Sequence, residues 1–93
     1  MNMEMTQIEV VRQDSETFQV IVQANTRTVH IVTLKDAYHQ KLTGGKATPE
    51  KLIEKSFEFL LERESNASIL SRFELPLIKR YFPEYEKIIV TRF

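Results

Sequence analysis

The sequence predicts an α+β fold, a three-stranded antiparallel sheet formed by an N-terminal meander and covered on one face by a C-terminal helical cluster. Two observations carry this. From Gln7 to Leu34 the chain is rich in Val, Ile, Thr and Phe and is cut by the short turn-forming stretches QDSE and ANTR, which suit antiparallel hairpins rather than parallel crossovers of a dozen or more residues. Beyond Leu34 the β-branched density falls and apolar residues recur at helical spacing.

The strands read as IEVVRQ, TFQVIVQA and TVHIVTL. In the second, Phe18, Val20 and Val22 alternate with Gln19, Ile21 and Gln23, the period of a sheet covered on one side. Ile8 and Val10 from the first strand, and Val29 and Ile31 from the third, are expected on the same face. A sheet of three strands leaves two open edges, and the first and third strands carry no proline to block pairing.

Helices are expected at about 36–42, 49–63, 66–72 and 76–82. Asp36 suits an N-cap and Gly44 a helix stop for the first. The second has Thr48 as N-cap, Pro49 at the first helical position and Glu50 near the positive end of the helix dipole. At 100° per residue, Leu52, Ile53, Ser56, Phe57, Phe59, Leu60 and Leu61 share an arc of about 200°. Phe57 and Leu60 lie inside that arc, and Phe59 and Leu61 lie at its edges, where a second layer must cover them or a partner must.

In SNASILSRF, Ser65 or Asn66 caps a helix carrying Ile69, Leu70 and Phe73 on one side. In ELPLIKRYFPEY, Pro76 again suits a first helical position, and Leu77, Ile78, Tyr81 and Phe82 follow helical spacing until Pro83 stops or kinks the helix. Phe57, Leu60, Phe73 and Tyr81 are expected to be buried. The tail from Glu86 to Phe93 is compatible with a last helical turn or with an added strand.

The 93 residues are read as one small domain, since a chain of this length has too little surface to bury for a second core. Thirteen basic and thirteen acidic residues give no net charge, which removes any whole-molecule attraction to nucleic acid or anionic membrane. Without cysteine there is neither a disulfide nor a thiolate metal site. The N-terminus MNMEMTQIEV lacks the apolar run of a secretory signal, and a cytoplasmic, non-membrane protein is expected.

The phrases LTGG, ATPEKLIEKSFEFLLERE and SILSRFELPLIKRYFPEY resemble a group of small bacterial proteins of unknown function in which phrases similar to SFEFLLERE and RYFPEY recur. That resemblance implies no reaction, cofactor or catalytic residue. The opening of short antiparallel strands followed by a helix is also similar to that of HicB-type antitoxins, although ANTRTVH stands where those proteins carry a Pro-Gly-Cys type turn.

Candidate chemistry is sparse. His30, read as an outward-facing strand residue, and His39, read as solvated, lack the spacing of a metal site with Asp36. Ser56 has no nucleophile elbow and sits where a small side chain permits close packing. Glu54, Glu58 and Glu62 form an i, i+4 ladder beside Lys51 and Lys55, as a solvated helix face does. LTGGKAT lacks the spacing of a phosphate loop. No catalytic, cofactor-binding or metal-ligating residue is therefore assigned, and no cofactor is expected.

Two functional readings remain ahead of an enzyme. The first is an interaction or regulatory module, with a protein partner or a second copy of the chain in a homodimer, and with Phe59 and Leu61 as interface residues. The second is a nucleic-acid-binding, antitoxin-like regulator using the C-terminal basic and aromatic segment, with Arg72, Lys79, Arg80 and Lys87 as contacts.

Overall fold

A computed structural model describes residues 6–93. Residues 1–5, part of the stretch read for a secretory signal, lie outside the described residues. Strands β1 (Gln7–Arg12), β2 (Thr17–Gln23) and β3 (Arg27–Thr33) form the expected antiparallel meander. Asp14 closes the first hairpin by accepting the Glu16 and Thr17 amides on Oδ1, at 2.9 and 2.8 Å, an Asx turn of the kind short acidic side chains favour.

The sheet has a fourth strand. After β3 the chain runs through α1 (Asp36–Thr43) and α2 (Pro49–Leu61) and returns as β4 (Arg72–Glu74), parallel to β3, giving the order β1-β2-β3-β4. The sheet is thus mixed, and the far side of β3 is occupied. Where a helix was expected over 66–72 there is a single 3-10 turn at Asn66–Ser68, then an extended segment leading into β4. A second 3-10 turn at Leu75–Leu77 leads into the short α3 (Ile78–Tyr81), and α4 (Tyr85–Ile89) resolves the tail as helical.

Local chemistry accounts for the helix ends. The Thr48 hydroxyl accepts the Lys51 amide at 3.0 Å, and Pro49 opens α2, where its missing N–H costs nothing. Asp36, by contrast, is the first residue of α1 and not its cap, which is Lys35 without a side-chain bond. Gly44 ends α1 at φ 59°, its amide donating to the Gln40 carbonyl at 2.8 Å. That left-handed conformation is strained for residues with a Cβ.

One face of the sheet is core. Phe18, Val20, Val22 and Val32 are fully buried against Leu52, Ile53 and Phe57 of α2, with Ile8 and Val10 partly buried at the margin. On β3 the expected face is reversed. The register pairs Phe18 with Val32, Val20 with His30 and Val22 with Thr28, so Thr28, His30 and Val32 point inward and Val29 and Ile31 outward. The outer face carries Val11, Ile21, Val29 and Ile31, with Val11 and Val29 exposed.

Candidate interaction groove

The side chains singled out for chemistry are committed to holding the fold. His30 is 1% exposed. It donates from Nδ1 to the Leu70 carbonyl at 2.8 Å, while Nε2 accepts the Thr28 hydroxyl at 2.8 Å. The Thr28 oxygen in turn accepts from Asn66 Nδ2 at 2.9 Å, and the same amide donates to the Thr26 carbonyl at 3.0 Å. This network fastens the segment ahead of β4 to β3, and the His30 ring also packs at 5.3 Å from Phe57. His39 is buried rather than solvated. Its Nε2 donates to the Ala47 carbonyl at 2.6 Å, pinning the TGGKA turn onto α1.

Ser56 is fully buried, donates to the Leu52 carbonyl at 2.8 Å and accepts the Tyr85 hydroxyl at 2.6 Å. Burial pushes the Tyr85 phenol up from its ordinary value, against the lowering effect of the Ser56 bond. On the opposite side of the C-terminal helices, Tyr38 donates to Glu86 at 2.7 Å, and Lys41 and Lys79 pair with the same carboxylate at 3.6 and 3.4 Å. The Tyr38 bond and the two cations hold Glu86 below the usual carboxylate range, while desolvation and Glu86 raise the Tyr38 phenol. Among the described residues no group of three or more His, Cys, Asp or Glu could hold a metal ion.

Phe59, expected at an interface, is fully buried. Phe82 and Tyr85 meet its ring edge-on at 5.9 and 5.3 Å, and the Arg63 guanidinium lies 3.6 Å from its centroid. The second layer that the helical arc demanded is supplied by the chain itself. Leu61 is half-buried beside Ile8, in a shallow hollow bordered by Glu54, Glu58 and Glu62.

Of the four residues expected to contact nucleic acid, Lys79 and Arg80 lie on α3, Lys87 on α4 and Arg72 on β4. Arg72 lies on the outer face of the sheet, opposite Ile31, whereas Lys79 is held at Glu86 beside the Tyr38 ring. Arg80 and Lys87 stand exposed on α3 and α4. Other basic residues of this half are also paired, Arg63 with Glu62 and Glu84, and Arg92 with Glu62 at 2.8 Å.

Among the hollows formed by the described residues is an apolar groove of about 300 Å³ where the end of α2 meets the segment before β4 and α3. Leu60, Ile69, Phe73 and Ile78 form its buried walls. Leu70 and Tyr81 stand at its lip, 47% and 65% exposed. Tyr81, expected in the core, is thus the most exposed large apolar side chain among the described residues. α3 is only four residues long and ends before Pro83, so it directs Ile78 and Phe82 inward and leaves Tyr81 outside. Glu64 also lines the groove, half-buried and without an ion pair among the described residues.

Sequence reasoning placed Tyr81 in the core, and Phe59 at the edge of the α2 arc as an interface residue. The signal that could have distinguished them is the second tyrosine of YFPEY, Tyr85, which takes the buried position beside Ser56 and Phe59. Comparison of the chain with protein-family models, with curated proteins and with solved structures returns no match. Among the described residues no helix is long and apolar enough to cross a membrane.

Proposed function

We propose that this chain is a protein-interaction module whose contact surface is the groove between α2, β4 and α3. The observation that carries the reading is the exposure of Leu70 and Tyr81 around a concave apolar floor. Contiguous exposed apolar surface beside a cavity favours occupation by another apolar group, because covering it releases ordered water. Tyrosine suits this role, offering a large, stiff contact area with a hydroxyl that tolerates a wet rim. The polar groups that otherwise suggest chemistry, Ser56, His30 and His39, are each occupied by bonds that fasten one segment to another.

The reading is tested by replacing Tyr81 with a photo-crosslinking phenylalanine analogue in the full chain, in cells, with the same analogue at exposed Lys46 as control. A discrete protein adduct from position 81 and none from position 46 is the expected result. Equal or absent adducts at both positions would remove the groove as a contact surface.

A further inference from the structure

We infer that the occupant of the groove is a second copy of this chain, bound about a two-fold axis so that Tyr81 of each copy enters the groove of the other and Arg80 meets Glu64 across the contact. This rests on the reading of the groove as a contact surface and goes beyond it by naming the partner.

The groove requires an apolar plug with a cation beside it, because its walls are Leu60, Ile69, Phe73 and Ile78 and its unpaired charge is the Glu64 carboxylate. A carboxylate half-withdrawn from water and lacking an ion pair gains from an incoming guanidinium that can bind it in bidentate fashion. The chain presents such a plug. Tyr81 is 65% exposed, and its neighbour Arg80 is exposed and has no ion pair among the described residues.

No other exposed apolar side chain combines these features. Val11 also has an arginine next to it, but Arg12 is held by Glu50 at 3.3 Å and lies over the Phe18 ring. Val29 and Val90 have no lysine or arginine next to them, and Leu70 is separated from Arg72 by Ser71.

Position makes the match reciprocal. Tyr81 lines the lip of the same groove it would fill in the partner, so plug and socket belong to one patch, as a closed two-fold contact requires. A head-to-tail arrangement would leave a free plug at one end and a free groove at the other, and would extend into a filament. Two copies of the Arg80–Glu64 contact per dimer also make the association sensitive to charge.

The test is a charge exchange followed by sedimentation equilibrium. Glu64→Arg and Arg80→Glu each place like charges together twice per dimer and are expected to weaken association more than about tenfold. The double variant restores opposite charges and should return to within about threefold of the wild type. Tyr81→Ala should weaken association without restoring partner. All three side chains lie at the surface or half-buried, so each variant is expected to melt cooperatively as a folded protein, and the single variants should lose the concentration dependence of melting that dimerisation gives the wild type.

A wild-type protein that stays monomeric to about 100 µM overturns the inference. So does a dimer whose single variants associate normally, or one that the double variant fails to rescue. A monomer that still crosslinks from position 81 to a different protein overturns the second-copy assignment alone. A monomer without any such adduct overturns the proposed function as well.

Discussion

The buried bond between Ser56 and Tyr85 ties α4 to α2, and breaking it measures how firmly the C-terminal layer is docked. Both residues are fully buried and their oxygens are 2.6 Å apart. Because the Ser56 proton is committed to the Leu52 carbonyl, the Tyr85 hydroxyl is the donor in this bond. Tyr85→Phe leaves the Ser56 oxygen without that donor and should cost about 1 to 1.5 kcal/mol. Ser56→Ala strands a phenolic hydroxyl in the core without an acceptor and should cost about 1 to 3 kcal/mol. The double variant replaces both partners with apolar groups, so its cost should fall short of the sum by about 1 kcal/mol. Urea denaturation of the four proteins at neutral pH gives the cycle. In thermal melts each kcal/mol corresponds to about 4 to 8 °C for a chain of this size. Additivity within about 0.3 kcal/mol would refute the pairing.

Other consequences concern core and charge. Phe59→Ala should destabilise by about 3 to 5 kcal/mol, because it empties a site enclosed by Phe82, Tyr85 and Arg63. Leu61→Ala, at a half-buried site, should cost clearly less, and chemical denaturation compares the two. Gly44→Ala should lower stability by about 1 kcal/mol, since φ 59° disfavours a Cβ although nothing lies within 4 Å of one. Glu86 and Glu62 have native carboxyls below the ordinary value of 4.5, Glu86 through the Tyr38 bond first and Glu62 through the Arg92 bond first. Their contribution is therefore complete above that value and lost as pH falls through the lower native values. The urea midpoint should drop on acidification over that window, and Glu86→Gln should flatten the drop.

How far the sequence disclosed this fold depends on whether a feature was local. The meander was legible because Phe18, Val20 and Val22 alternate cleanly with polar positions and because QDSE and ANTR are short turn formers. The start of α2 was legible from Thr48 and Pro49 alone. The inward face of β3 was not, because Val29 and Ile31 are better strand-core residues than Thr28 and His30. The polar pair wins since Asn66 and the Leu70 carbonyl, some forty positions away, satisfy its hydrogen bonds.

β4 was hidden for a related reason. Arg72–Glu74 is too short to show a period, and its bonding partner is β3, beyond two intervening helices. In the candidate site, the apolar residues were visible as a set, but their division between floor and lip was not. Helical spacing treats Ile78, Tyr81 and Phe82 alike, and the early end of α3 before Pro83, with Tyr85 taking the buried position on Ser56, leaves Tyr81 facing solvent.

A groove edged by Tyr81 that takes up a second copy of the chain makes association depend on that tyrosine. The most direct test is light scattering on a size-exclusion column at low salt, with absorbance monitored for nucleic acid, comparing the wild type with Tyr81→Asp. The expected result is a nucleic-acid-free wild-type species at twice the 11.0 kDa chain mass and a folded monomer for the variant. A nucleic-acid-bound species that dissociates in high salt and is unchanged by the substitution would overturn the self-association through Tyr81.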